Sequence, residues 1–355
     1  MRALKVILFF LMGLLSLSGC ATLSYLTKLG WHQGLILYGS IPIQEMLEDE
    51  QTHREVKKKI QFIQEVKCYG EERLGLKRSG SYKKFYEMKT PPLYVITASP
   101  KDRLSPYEWH FPMVGKVTYK SFFTLEGALR EKETLEAKGF DTCIQAVAAY
   151  STLGWLKDPI FSLMLSWDEP VLANIILHEM AHATIYFKGE TDLNEQIATF
   201  VGNRGSIEFL TQRYGPSSKE VREALDSQED DLLFASWIEW AYKQLLDLYE
   251  KPISREEKLK RRGEIFNQIM EKFKELKSRF RTDCYQDFDK KEFNNAVLIA
   301  HRRYLHHLDR WEALYKYWGD EMKRFLWFLK AVKSSKENPS SYLERWMKER
   351  GLTFH

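Results

Sequence analysis

Val171-Leu-Ala-Asn-Ile-Ile-Leu-His-Glu-Met-Ala-His-Ala-Thr-Ile-Tyr-Phe187 is the stretch on which the reading of this chain turns. It holds no Gly or Pro, and Pro170 before it suits the first turn of a helix. Asp168 and Glu169 suit the positive N-terminal end of that helix, and Lys188-Gly189 supplies a basic residue and a glycine stop. Because the segment is apolar nearly all round, the helix should be buried. His178 and His182 stand four residues apart, one above the other on a single helix face. That spacing lets two neutral imidazoles reach one zinc ion at about 2.0–2.1 Å. Glu179 adjoins the first of them, where its carboxylate can face a metal-bound water without binding the metal. Burying that carboxylate beside two imidazoles with neither metal nor partner would be costly, which favours a metal site over two ordinary core histidines.

A zinc site of this kind needs a third protein ligand and one open position for water. Residues from Thr191 onward read as a second helix, entered through the turn Gly189-Glu190-Thr191-Asp192. A turn that short makes the two helices antiparallel neighbours, so the first turn of the second can return beside the end of the first. Glu195 then becomes the leading third ligand, with Glu190, Asp192 and Glu208 as competitors. The alternative for Glu195 is a capping-box-like pairing with Asp192, three residues earlier. One zinc per chain, held by His178, His182 and Glu195, is the expectation, and it implies peptide-bond hydrolysis by metal-activated water with Glu179 as general base.

His178-Glu179-x-x-His182 followed by Asn194-Glu195-x-x-Ala198 resembles the glutamate-zincin clan, with a shorter gap between the two motifs than in thermolysin or the large alanyl-type aminopeptidases. More specifically, the chain resembles a family of bacterial lipoproteins regarded as zinc aminopeptidases. The matching stretches are Phe111 to Lys120, Ala149 to Trp155 with Asp158-Pro159, the two motifs with Val201-Gly202, and Asn294-Asn295-Ala296. The resemblance runs from about Leu29 to the end of the chain. It implies a zincin-like core, a peptide substrate and a Tyr or His downstream that donates to the oxyanion. His301, Tyr304, His306 and His307 are available. The resemblance favours Tyr304; His306 and His307 read as exposed helix residues.

The first residues carry Arg2 and Lys5 and then an apolar run from Val6 to Leu17. That run is shorter than the roughly 20 residues needed to span a bilayer, so residues 1–19 read as an export signal. Leu17-Ser18-Gly19-Cys20 resembles a bacterial lipobox, which implies a lipid on Cys20 and a membrane-anchored protein of the cell envelope. Ala21 resembles the residue that follows the lipidated cysteine in proteins sorted to the outer membrane, which places the chain facing the periplasm. Without residues 1–19 the formal charge falls from +4 to about +2, giving no reason to expect nucleic acid. Cys68, Cys143 and Cys284 remain, enough for one disulfide at most.

About 336 residues follow the signal, with 44% hydrophobic and 14% aromatic content overall, enough for one large core. Residues 43–66 show helical periodicity; Leu93–Thr97 and Val114–Phe123 read as strands; Leu125–Lys138 is a helix ended by Gly139. Cys143–Tyr150 reads as a strand whose edge could pair with a peptide backbone, so that Tyr150, Ser151 and Thr152 would line the cleft. Trp155 reads as a core residue. Glu190 or Asp158 could hold a free α-amine. Beyond Asp192 nearly everything looks helical, with alternating Glu and Lys/Arg from Ser254 to Arg281 marking a solvated face. The fold expected is α+β and predominantly helical: a single zincin-like domain over residues 20–355, with a small sheet before the active-site helix and residues 216–355 as a closely packed helical part. The expected activity is that of an aminopeptidase. An endopeptidase with the same chemistry, and a catalytically silent binding scaffold, are the alternatives.

Overall fold

The computed structural model of the protein describes residues 20–352 except 89, 92, 112–114, 148 and 151, with residues 20–23 by backbone alone. Residues 1–19, the Cys20 side chain and Ser151 thus lie outside the described residues. In chain order the elements are α1 (Cys20–Tyr38), β1 (Ile41–Pro42), α2 (Ile43–Glu48), α3 (Arg54–Tyr69), β2 (Lys84–Tyr86), β3 (Leu93–Pro100), β4 (Trp109–Phe111), β5 (Gly115–Val117), β6 (Lys120–Phe122), α4 (Leu125–Ala137), β7 (Phe140–Val147) and β8 (Ile160–Phe161). Helices then follow almost without interruption: α5 (Glu169–Thr184), α6 (Thr191–Tyr214), α7 (Lys219–Tyr249), α8 (Arg255–Lys277), α9 (Asn295–Leu305), α10 (Leu308–Tyr317), α11 (Met322–Ser334) and α12 (Pro339–Lys348). The architecture is α+β, mostly helical, with its small sheets ahead of α5.

Among the described residues three sheets form, ordered β1-β2-β8, β6-β3-β7 and β4-β5. In the second, β3 lies antiparallel to both neighbours, with Leu93 opposite Val147 and Thr97 opposite Cys143. Side chains alternate along β3 as a two-residue period requires. Ile96 and Ala98 face α4, in a small core with Trp109 and Leu135. Leu93, Val95 and Thr97 point the other way, towards the helical body. One expected strand is broken: of the stretch read as a strand over 114–123, residues 115–117 form β5 and 120–122 form β6, in different sheets. The break falls at Thr118-Tyr119, whose polar groups bond helical side chains instead of a ladder. The helix expected over 43–66 also divides, because Asp49 is extended and its carboxylate accepts the amide of Gln51.

α5 is buried as its apolarity requires, with Leu172, Ala173, Ile176 and Leu177 fully sequestered; burial contributes about 1.5–3 kcal/mol for each large side chain. It ends earlier than the sequence suggests, since Ile185 is already extended. Its main neighbour is α6, antiparallel to it across the short turn. The two helices approach closely at glycines. A Cβ on Gly202 would sit 2.9 Å from both the carbonyl and side-chain oxygens of Asn174 and 3.2 Å from the Cβ of His178. A Cβ on Gly205 would meet Leu74 at 2.8 Å and Leu177 at 3.1 Å.

Helices α10–α12 complete this same core through Trp311, Tyr315, Phe325 and Leu329. A second core joins α7, α8 and α9 through Phe234, Trp237, Phe273, Phe288 and Leu298. The helices between Lys219 and Lys348 are therefore divided between two cores. Cys68, Cys143 and Cys284 are all free thiols, so the one disulfide the count permits is not formed. Among the described residues no helix is long and apolar enough to cross a membrane.

The Gly202 contact gives a direct test. Gly202→Ala should destabilise the fold by about 1–3 kcal/mol, because the Asn174 carbonyl it strikes is backbone and cannot swing aside. Thermal unfolding measures this, and an unchanged midpoint would mean that α5 and α6 are not in the contact described.

Candidate active site

The short turn between α5 and α6 is fixed by Asn194. Its Oδ1 accepts the amide of Phe187 at 2.8 Å while its Nδ2 donates to the Phe187 carbonyl at 2.8 Å. Gly189 adopts φ +81° inside that turn, a conformation glycine tolerates without strain. The chain is thereby folded back so that the first turns of α6 lie beside the last turns of α5. Glu195, one residue past the clamp, then faces the two histidines.

The Nε2 atoms of His178 and His182 are 3.1 Å apart, and Glu195 Oε2 lies 3.5 Å from the first and 3.3 Å from the second. Tetrahedral bonds of the usual zinc lengths would separate ligand atoms by about 3.3–3.4 Å, so one small divalent ion fits between them. Among the described residues this is the group of His, Cys, Asp and Glu close enough to share an ion. Burial alone would push the Glu195 carboxyl up, yet the two imidazoles hold it well below the usual carboxylate range. Burial likewise opposes a charged His182, and the Glu195 carboxylate overrides that and raises it. The imidazoles thus favour the ionised Glu195 carboxylate, which a bound cation would do more strongly. His182 Nδ1 is buried without a hydrogen-bond partner among the described residues.

The competing ligands are all engaged elsewhere. Glu190 accepts from Asn338 and, at 2.9 Å, from Ser340 Oγ. Asp192 faces Thr118 Oγ1 at 3.3 Å and Arg303 Nε at 3.4 Å, so no capping box with Glu195 forms. Glu208 accepts from the Tyr315 hydroxyl at 2.6 Å.

The three groups line a cavity of about 170 Å³, together with Glu179, Tyr304, Tyr150, Tyr119 and Tyr186. Leu93, Val95 and Val147 of the sheet close it from the other side. Tyr304 comes from α9, its ring centroid 6.4 Å from that of His178. Burial and the Glu195 and Glu179 carboxylates push its hydroxyl far above the ordinary tyrosine range, so it is a proton-bearing donor at any working pH. The asparagines before it explain its placement. Asn294 caps α9 by accepting the amide of Val297 at 3.0 Å and donates to the Thr142 carbonyl at 3.1 Å. Asn295 donates to the Pro100 carbonyl at 2.9 Å. Both bonds pin α9 across the ends of β3 and β7.

His301, by contrast, points away from the cavity into the second core, against the rings of Phe234 and Phe288, and burial lowers it to about 4. His306 and His307 are not exposed helix residues. His306 Nδ1 lies 2.6 Å from Glu239, and His307 sits in the left-handed region between α9 and α10.

Of the substrate candidates, Tyr150 lines the cavity and donates its hydroxyl to Gln33. Thr152 is turned from it: its amide and hydroxyl both bond Asp158, at 2.9 and 2.8 Å, and Leu153 takes the lining position. Asp158 is buried behind the wall, where burial pushes it up to about 6, Thr152 pulls it down and Glu179 raises it. Glu190 lies in a neighbouring cavity with Asp192 and His306. Neither proposed amine anchor therefore opens into the site. Trp155 is 58% exposed and not core, because Leu153 and Gly154 both take positive φ and turn the chain outward.

Two participants escaped sequence reasoning. Tyr119 donates to Glu195 Oε1 at 3.2 Å, leaving Oε2 for the histidine side. Arg303 is 1% exposed and reaches three parts of the chain: Thr97 at 3.2 Å, the Thr118 carbonyl at 3.0 Å, and Asp192. Its guanidinium also stands over the Tyr119 ring at 5.1 Å. The only available signal was Tyr119's place within the Phe111–Lys120 stretch.

Among curated proteins none matches this chain, and among solved structures none does. Residues 24–345, most of the chain, match the model of a family described as "Putative aminopeptidase", and the chain belongs to that family.

Proposed function

We propose that the protein is a zinc-dependent aminopeptidase of the cell envelope, held to the outer membrane on its periplasmic side by a lipid on Cys20. The observation that carries the peptidase reading is the convergence of His178, His182 and Glu195 beside Glu179 in one small, half-enclosed cavity. A zinc ion held by those three side chains would supply Lewis acidity and a bound water acidified towards neutral pH. Glu179 serves as general base, taking the proton of the attacking water and passing it to the leaving amine. The Tyr304 hydroxyl donates a hydrogen bond to the oxygen on which negative charge develops. Leu93, Val95 and Val147 keep bulk water away, which strengthens these polar interactions. β7 is a terminal strand of its sheet among the described residues, so its free edge suits an extended peptide backbone.

One observation favours the endopeptidase alternative. Among the described residues of the cavity, Glu179 and Glu195 are the carboxylates, and both already have roles, so a substrate α-amine finds no further anion there. N-terminal acetylation separates the two readings. An aminopeptidase should lose cleavage of the acetylated peptide, whereas an endopeptidase should cut it as before.

Glu179→Gln should lower kcat by roughly 10²–10⁴-fold while zinc content stays at one per chain. Retained turnover would remove Glu179 from the chemistry. Glu195→Ala should abolish stoichiometric zinc binding. Tyr119→Phe, which takes away only the hydrogen bond behind that ligand, should weaken zinc affinity by about 10–100-fold. Competition against a chelator measures both, and full zinc retention in Glu195→Ala would place the third ligand elsewhere.

A further inference from the structure

Helix α1 packs on the body along one stripe of residues. Tyr25 stacks on Phe111 with ring centroids 5.5 Å apart and donates to the Ser121 carbonyl, and His32 stacks on Phe123 at 5.3 Å. Gln33 accepts from Tyr150, and Ile36 enters the main core. Positions 25, 32, 33 and 36 form one stripe at helical spacing. Trp31, Leu35 and Tyr38 fall on the opposite side, at i, i+4 and i+7, and are 68%, 45% and 93% exposed. Ile41, just past the helix, is 45% exposed.

The charge pattern here departs from the rest of the chain. From Cys20 to Gln44 there is no acidic residue and Lys28 is the one formal charge, in a protein that is 29% charged. An outward stripe of Trp, Leu and Tyr without carboxylates suits the boundary of a lipid bilayer, where rings with one apolar and one polar end settle at headgroup depth. What lies N-terminal points to the same occupant. The apolar run Val6–Leu17 and the lipobox-like Leu17–Cys20 lead directly into α1, so whatever holds the N-terminus in a membrane brings this helix to its surface.

We propose that the Trp31–Leu35–Tyr38 face of α1 lies in the headgroup region of the membrane that anchors the chain. This makes α1 an orienting surface as well as a tether, because the same helix holds Tyr150 through Gln33 and so fixes the wall of the cavity relative to the bilayer. The inference rests on the anchoring reading above and is independent of peptidase activity.

Depth-dependent quenching tests it. The full-length chain, with the free thiols Cys68, Cys143 and Cys284 replaced by Ser, is made with Leu35→Cys or, as a control on the outer face of α8, Lys272→Cys. Each is labelled with a fluorophore and reconstituted into phosphatidylethanolamine–phosphatidylglycerol vesicles containing phospholipid with a nitroxide near the headgroup. Quenching should be several-fold stronger at position 35 than at 272. Equal, weak quenching at both positions in vesicle-bound protein would overturn the inference. The mass of the N-terminal peptide tests the anchor separately, since an unmodified Cys20 would remove the lipid. In that case persistent quenching at 35 would uphold the α1 surface without a lipid tether, and its loss would overturn both.

Discussion

The approach of α5 and α6 is the constraint on which the rest of this molecule depends. Two antiparallel helices normally stand 8–10 Å apart, at a distance set by the side chains between them. Here Gly202 and Gly205 leave no side chain at the points of closest passage, and the Asn174 carbonyl and Leu177 occupy that space. The pair is then locked at its turn by the two Asn194 bonds to Phe187. A carboxylate and two imidazoles that would repel burial individually are thereby held within 3.5 Å of one another. A slightly wider helix pair would leave three isolated polar groups in an apolar interior.

Around that pair the protein spends its buried polar groups on registration more than on stability. Arg303 places its guanidinium in the interior and meets Thr97, Thr118 and Asp192 from three separate parts of the chain. Asn294 and Asn295 tie the start of α9 to the ends of β3 and β7. Such bonds contribute little net energy each, but losing one partner exposes the full desolvation cost of the other. The outcome is that α9, the sheet and α6 share one frame, and Tyr304, Tyr119 and Glu195 are placed by it. Apolar packing alone would have left these elements free to slide by fractions of an ångström.

The cavity follows from the same frame. One wall is helix, carrying the imidazoles and carboxylates, and the other is sheet, carrying Leu93, Val95 and Val147. This division puts charge on one side of a bound molecule and water exclusion on the other. Asp158 shows how tightly the wall is used, because a carboxylate close enough to feel Glu179 is turned into a bracket for Thr152.

Sequence alone determined that a buried helix follows Pro170, though not that it ends at Thr184, and it determined the pairing of His178 with His182, because helical spacing fixes which side chains share a face. It also pointed to Glu195, since a short turn leaves few places for the next helix to start. Local periodicity could not reveal where distant elements would meet. The break at Thr118-Tyr119 looked like continuous strand because the groups that interrupt it come from residues 192, 195 and 303. Trp155 reads as core in the sequence, but two positive-φ residues just before it turn the chain outward. His301 and Tyr304 are only three positions apart, and only the tertiary structure decided that one faces the phenylalanine core and the other the cavity. A helix has two usable faces, and the sequence of α9 does not say which neighbour will lie against each.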